Sequence, residues 1–329
     1  MSVPLFDFKA QTLALSDKLR AAFERVLASS QFINGPEVEE FEKTFAAYLS
    51  VGGGQTAGAL GMSSGTDALI VPLMSERVGP GDEILLPSFT FFATAGSVAR
   101  MGAKPVFVDI DPKSFNICPK DLMKKYTPRC KGIIPVHLFG QSADMLQILA
   151  FAQEKKMFVL EDVAQAVGAT YDGKQLGTMG DWGAFSFFPT KNLGALGDAG
   201  AVCARDAERF KMAKFMRNHG DISRYEHQYV GGNFRLDALQ AAFLREKLAL
   251  LNSWVEKRRA NAQIYQQQLG GVGEIVLPAE VHNCHHTYNQ FTIRVKNSKR
   301  DALKEYLTKA GIGNQVYYPI PLHRQKCFE

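Results

Sequence analysis

FVLEDVAQAVGA, residues 158–169, decides the fold. Its apolar start shows no alternation with polar residues, so the strand it predicts is buried on both faces. It then ends in two adjacent carboxylates, Glu161 and Asp162. A strand of that kind belongs inside a mainly parallel sheet with helices on both sides. Short apolar runs of the same character recur outward from it, at 83–86, 105–108, 132–136, 184–187 and 201–204, with helical patterns between them. The chain therefore reads as α/β.

Upstream, Leu15, Leu19, Phe23 and Val26 recur at helical spacing, with Ser16 as the expected cap. Val38, Phe41, Phe45 and Leu49 repeat the pattern after Asn34-Gly35-Pro36. Downstream, one long helical region is expected over about residues 236–269. A strand–helix–strand unit follows, made of FTIRV (291–295), KRDALKEYLTKAG (299–311) and NQVYY (314–318). The expected division is a large domain over residues 1–250 and a small C-terminal α/β domain over 251–329.

Composition excludes several classes. The 329 residues are 46% hydrophobic, enough for a large core, and the net charge of +5 is scattered rather than clustered. No dedicated nucleic-acid surface is expected. No apolar run approaches the ~18 residues of a membrane span, and the N-terminus lacks a signal-peptide core. Five cysteines without CxxC spacing fit a reduced, cytoplasmic protein.

In such sheets ligands bind beyond the carboxyl ends of the strands, so polar residues there are the candidates. MSSGTDALI (62–70) places Ser63, Ser64, Gly65 and Thr66 before a helical segment, where free amides and a positive dipole end can hold an anion. Plain helix capping explains the same residues. Pro72 should bend or shorten that helix. Asp162, with Gln165 three residues on, is either a functional acid or a solvated cap. FSFFPTKNLGALGDAG (185–200) carries one lysine, Lys191, between an aromatic strand and three spaced glycines. Desolvation there would favour a neutral, nucleophilic amine, while a snorkelling side chain would leave it charged. Ser186 precedes it and can donate to an anion. There is no GxxxxGK[ST], and Gly194, Gly197 and Gly200 do not have GxGxxG spacing.

A lysine for an aldehyde, a carboxylate for a pyridinium nitrogen and an anion cradle for a phosphate are the needs of pyridoxal 5'-phosphate (PLP). The segments SGTDAL, PSFTF, KPVFVDIDP, IIPVHLFGQSADM, LEDVAQAVGA, SFFPTKNLGALGDAGAV, RNHG and NFRLDALQAA occur in that order along nearly the whole chain. In them the chain resembles the DegT/DnrJ/EryC1/StrS sugar aminotransferases, fold-type-I PLP enzymes that act on nucleotide-linked keto-sugars.

That resemblance implies the roles. Lys191 is the Schiff-base lysine, Asp162 pairs with the pyridine nitrogen and Gln165 reaches the phenolic oxygen. Gly65, Thr66 and Ser186 hold the phosphate, Phe91 stacks on the ring, and Asn233 reaches the phosphate of a neighbouring subunit in a homodimer with shared active sites. Transamination through pyridoxamine phosphate follows, with glutamate as the expected donor. The expected acceptor is a UDP- or dTDP-linked 3-oxo or 4-oxo hexose, with a lean to the UDP-3-oxo-N-acetylhexosamine type, in polysaccharide or lipopolysaccharide biosynthesis. YYPIPLH (317–323) resembles the family's HYPxPLH segment, which makes Tyr318 and His323 substrate-binding candidates; Tyr317 stands where histidine is usual. Arg235 and His219 are further substrate candidates. One branch of the family has histidine in place of the lysine and dehydrates its sugar; Lys191 argues against that alternative. A non-catalytic regulatory member is the other. His282, Cys284, His285 and His286 sit too close together on one strand for a tetrahedral site, so no metal is expected. The family continues some tens of residues past PLH, so the small domain is expected to be truncated or curtailed.

Overall fold

The computed structural model describes residues 2–329. Its centre is a seven-stranded sheet built from β1 (Gly58–Met62), β2 (Glu83–Pro87), β3 (Lys104–Val108), β4 (Cys130–Ile133), β5 (Phe158–Asp162), β6 (Trp182–Ser186) and β7 (Gly200–Ala204). The spatial order is β1-β7-β6-β5-β4-β2-β3. From β3 to β6 every pairing is parallel, and β7 runs antiparallel to both β6 and β1.

Alternate residues of these strands feed separate cores, which is why no strand shows polar alternation. Leu60, Met62, Leu160, Trp182, Ala184 and Val202 pack on one side with the helices Gly65–Ser75 and Ala207–Arg217. Ala59, Phe185, Ala201 and Cys203 face the other side, against the helices Ser16–Ser29, Pro36–Leu49 and Ala238–Leu248. Phe45 there meets Phe185 and Phe187 edge-on, at 5.1 and 5.4 Å between ring centroids.

Three expectations need correction. Ser16 does not cap its helix: it is the first helical residue, and Leu15 holds the cap position without a side-chain hydrogen bond. The long helix is two, Ala238–Leu248 and Leu251–Leu269. NQVYY forms no strand; Arg294–Val295 pairs instead with Ile275–Val276, and the helix Arg300–Lys309 follows. Pro72 does lie inside the helix Gly65–Ser75, which stops three residues later.

The last residues return to the sheet rather than staying with the helix Arg300–Lys309. Leu322 donates its amide to the Ser88 carbonyl (2.9 Å), just past β2, and is buried. Phe328 packs against Phe92 and Phe107. Among the described residues no helix is long and apolar enough to cross a membrane.

Candidate active site

The strand pleat separates the two carboxylates at the end of β5. Glu161 has no exposure and is fully used by the fold. Its Oε1 accepts from the Met179 and Gly180 amides (2.8 and 2.7 Å), and its Oε2 accepts from the Gly177 amide (2.8 Å). His137 Nε2 lies 2.9 Å from Oε2. The Ala143 amide donates to His137 Nδ1 (3.1 Å), so the ring proton sits on Nε2 and points at Glu161.

Asp162 projects from the opposite face, 4% exposed. Thr94 Oγ1, in the first turn of the helix Phe92–Arg100, donates to its Oδ2 (2.8 Å), and the Ala164 amide donates to Oδ1 (3.1 Å). Burial pushes this carboxyl above the usual range, against those two hydrogen bonds and the nearby charge of Lys191. Burial likewise pushes the Lys191 amine below the usual lysine range, with Asp162 opposing it. The two groups are therefore close enough to act on one another. A desolvated amine is the nucleophilic form, and a buried carboxyl with spare acceptor capacity favours a cationic N–H partner.

The anion cradle forms where helix and strand meet. Ser64 caps the helix Gly65–Ser75 by accepting from the Asp67 amide (3.1 Å), which leaves the Gly65 and Thr66 amides without an acceptor among the described residues. The helix start presses on the end of β6: a Cβ on Gly65 would lie 2.6 Å from Ser186 Cβ and 2.9 Å from Ser186 Oγ. Only a glycine lets the amides and that hydroxyl converge. Donors of this kind suit a phosphate, so the residues present fit PLP at both of its ends.

Gln165 is oriented by the backbone. The Phe139 amide donates to its Oε1 (2.9 Å), so its Nε2 faces outward and donates to Tyr318 Oη (2.9 Å). Phe139 adopts a left-handed φ of 60° at this point. Tyr318 thus meets a residue 153 positions away, and burial raises its phenol well above the usual tyrosine range.

The remaining candidates lie around this group. Phe91 is 59% exposed and precedes the helix that carries Thr94. Arg235 bridges to Met62 at the end of β1 and donates to Asn218 Oδ1 (2.5 Å); its Nε is buried without a partner. Asn233 bridges to Asn218 and is exposed. His219 and His323 are exposed, and neither side chain is hydrogen-bonded to the group around Asp162. In the cluster of His282, Cys284, His285 and His286, the first is exposed and the other three contact protein. Cys284 Sγ accepts from the Ser142 amide (3.3 Å), His285 pairs with Glu256 (3.1 Å), and His286 stacks on Tyr288 (3.9 Å between centroids). Sequence reasoning missed Thr94 and the separate task of Glu161. The pleat alone could have divided Glu161 from Asp162.

Residues 14–329 match the DegT/DnrJ/EryC1/StrS aminotransferase family. The chain is 45% identical to a pleiotropic regulatory protein of Geobacillus stearothermophilus, over 100% of this chain and 87% of the relative. It is 42% identical to the UDP-N-acetyl-3-dehydro-alpha-D-glucosamine 3-aminotransferase of Acidithiobacillus ferrooxidans, over 99% and 86%. It superposes on the crystal structure of DesV from S. venezuelae in complex with a ketimine intermediate, with a TM-score of 0.95 and 39% identity over 99% of this chain and 86% of that one.

Proposed function

This chain belongs to the DegT/DnrJ/EryC1/StrS aminotransferase family, and from that premise we propose that it transfers an amino group from glutamate to a nucleotide-linked 3-oxo-N-acetylhexosamine. Its cofactor is PLP. The amine leaves the amino acid as the 2-oxo acid forms, and it replaces the keto oxygen of the sugar. The observation that carries this reading is the buried Asp162 and the half-buried, desolvated Lys191 beside the helix start that meets Ser186.

Bound PLP supplies an aldehyde that exchanges amines and a protonated ring that holds the electron pair left when a neighbouring C–H bond breaks. Lys191 would hold the aldehyde end and, once released, move a proton at its Nζ. General acid–base work of that kind is worth ~10²–10⁴-fold. Asp162, fixed by Thr94, would keep the ring nitrogen protonated. Gln165 would turn its Nε2 to the phenolic oxygen, and Gly65, Thr66 and Ser186 would bind the phosphate. Phe91 would cover one face of the ring. Asn233 would complete the phosphate site of a partner subunit in a homodimer. Arg235, Tyr318, His219 and His323 are the side chains proposed to line the sugar path. The five free cysteines fit a cytoplasmic location.

The lean toward a 3-oxo-N-acetylhexosamine rests on the name of the Acidithiobacillus relative. The name of the Geobacillus relative favours a second reading, a regulatory protein. Purified protein should show the visible absorbance of bound PLP and lose it on adding glutamate. The pyridoxamine form should then regain it with a UDP-linked 3-oxo sugar in preference to dTDP-linked or 4-oxo sugars. Loss with glutamate but no recovery with any sugar would remove the acceptor assignment. No response to glutamate would favour the regulatory reading.

A further inference from the structure

A second lysine is buried behind the first. Lys247, in the last turn of the helix Ala238–Leu248, is 4% exposed and has no carboxylate in ion-pair range among the described residues. Its Nζ makes one hydrogen bond, to the Gly194 carbonyl at 2.7 Å. Taking an ammonium out of water is costly, and the negative end of its own helix offsets only part of that. Burial alone pushes the amine below the usual lysine range.

The acceptor explains the placement. Gly194 lies three residues after Lys191 in a tightly folded turn, where a Cβ would sit 2.4 Å from the Pro189 carbonyl oxygen. On one side the turn is tied to the segment just past β6, where the Ala195 amide donates to the Phe187 carbonyl (2.7 Å), and it is closed internally by the Lys191 amide on the Phe188 carbonyl (2.8 Å). On the other side the helix Ala238–Leu248 holds it twice, through Lys247 and through Gln240, whose Oε1 accepts from the Leu196 amide (2.9 Å). The backbone that carries Lys191 is thus held between the segment that follows β6 and a helix.

We propose that Lys247 is a positioning residue for Lys191: through the Gly194 carbonyl it holds the turn so that the Lys191 amine faces Asp162. This rests on the reading of Lys191 as the lysine that takes the cofactor aldehyde. Lys247 touches neither cofactor nor substrate in this account, and it acts only by where it puts the turn. Small displacements of a reacting group are expensive, about 10²-fold for roughly 1 Å.

The test compares two ligands of the cofactor-free protein. PLP must be captured by Lys191, whereas pyridoxamine phosphate, already an amine, binds without it. In Lys247→Met, which keeps the stem and removes the donor, PLP capture followed by stopped-flow absorbance should slow about 10–100-fold, while the Kd for pyridoxamine phosphate stays within about threefold. Lys247→Gln, which keeps a donor, should recover most of the rate. Gln240→Leu removes the other tie from the same helix. It should produce the same selective slowing, and it serves as the test if Lys247→Met does not fold. Unchanged capture, or an equal loss for both ligands, would overturn the proposal. Wild-type protein that captures no PLP on Lys191, as shown by borohydride trapping and peptide mass spectrometry, would instead overturn the reading of the site on which the proposal stands.

Discussion

Neighbouring residues with the same chemistry do different work because the pleat sends them to opposite faces. Glu161 accepts from three backbone amides and His137, with two donors on each oxygen. In Glu161→Gln the new NH₂ would meet two donors wherever it points. Urea unfolding should therefore show a loss of about 2–5 kcal/mol. Asp162→Asn keeps the size of the side chain and an acceptor for the Ala164 amide, and the Thr94 hydroxyl can turn to accept from its NH₂ and donate to Thr90, but it cannot hold a ring nitrogen in its protonated form. It should unfold close to wild type, while kcat falls at least ~10²-fold, since charge on a buried group is worth several kcal/mol to the chemistry. A pair of variants that lost activity and stability in the opposite pattern would reverse the assignment of the two carboxylates. At Lys191, Lys191→Ala should abolish trapping of the pyridoxyl group by borohydride, read by peptide mass spectrometry.

At the scale of elements, the helix start and the strand end form one device. Gly65→Ala would drive a Cβ to 2.6 Å from Ser186 Cβ, so either the helix or β6 must shift. The expected result is a Kd for PLP weakened at least tenfold, measured by fluorescence titration, because the phosphate donors no longer converge. A pH effect belongs to the segment after the strand Cys284–His285. Burial lowers the His286 ring to about 4, partly offset by Glu280, from an unfolded value near 6.5. Between those values the unfolded chain takes up a proton that the folded chain refuses, so stability is full above pH 6.5 and falls as pH drops toward 4. From pH 7 to pH 5 the loss should be about 2 kcal/mol larger in wild type than in His286→Gln, by urea midpoints at the two pH values. Most strands were legible because burial on both faces writes itself as an apolar run. β1 was not, since GALGM has small residues where large side chains approach: a Cβ on Gly58 would strike Phe210 of the helix Ala207–Arg217, and one on Gly61 would strike Leu236, each at 2.6 Å. The break at Ala249–Leu250 carries neither glycine nor proline and so gave no sign.

For the whole molecule, the legible part of the site was the part held by nearby sequence. Asp162, Ser186 and Gly65 each stand at a strand end or helix start that the sequence marks, and Lys191 stands in the turn that follows β6. The junction of Gln165 with Tyr318 depends on the chain returning to the sheet after the helix Arg300–Lys309, which no local pattern announces. The same scale governs assembly. Phe23, Leu27, Phe32, Ile33, Phe188 and Leu196 are all at least two-fifths exposed in the protomer, and Asn233 is exposed. Large exposed apolar groups of this kind suit a partner surface. If two copies complete each other's sites, light scattering should report a dimer, and Lys191→Ala and Asn233→Ala should each be inactive alone. After unfolding and refolding an equal mixture, half of the dimers are hybrids, and each hybrid has one site with both residues intact. Activity should then return to roughly a quarter of wild type, the outcome expected for a two-fold dimer with shared sites. If the mixture stays as inactive as its components, Asn233 serves its own subunit and the shared-site arrangement is wrong.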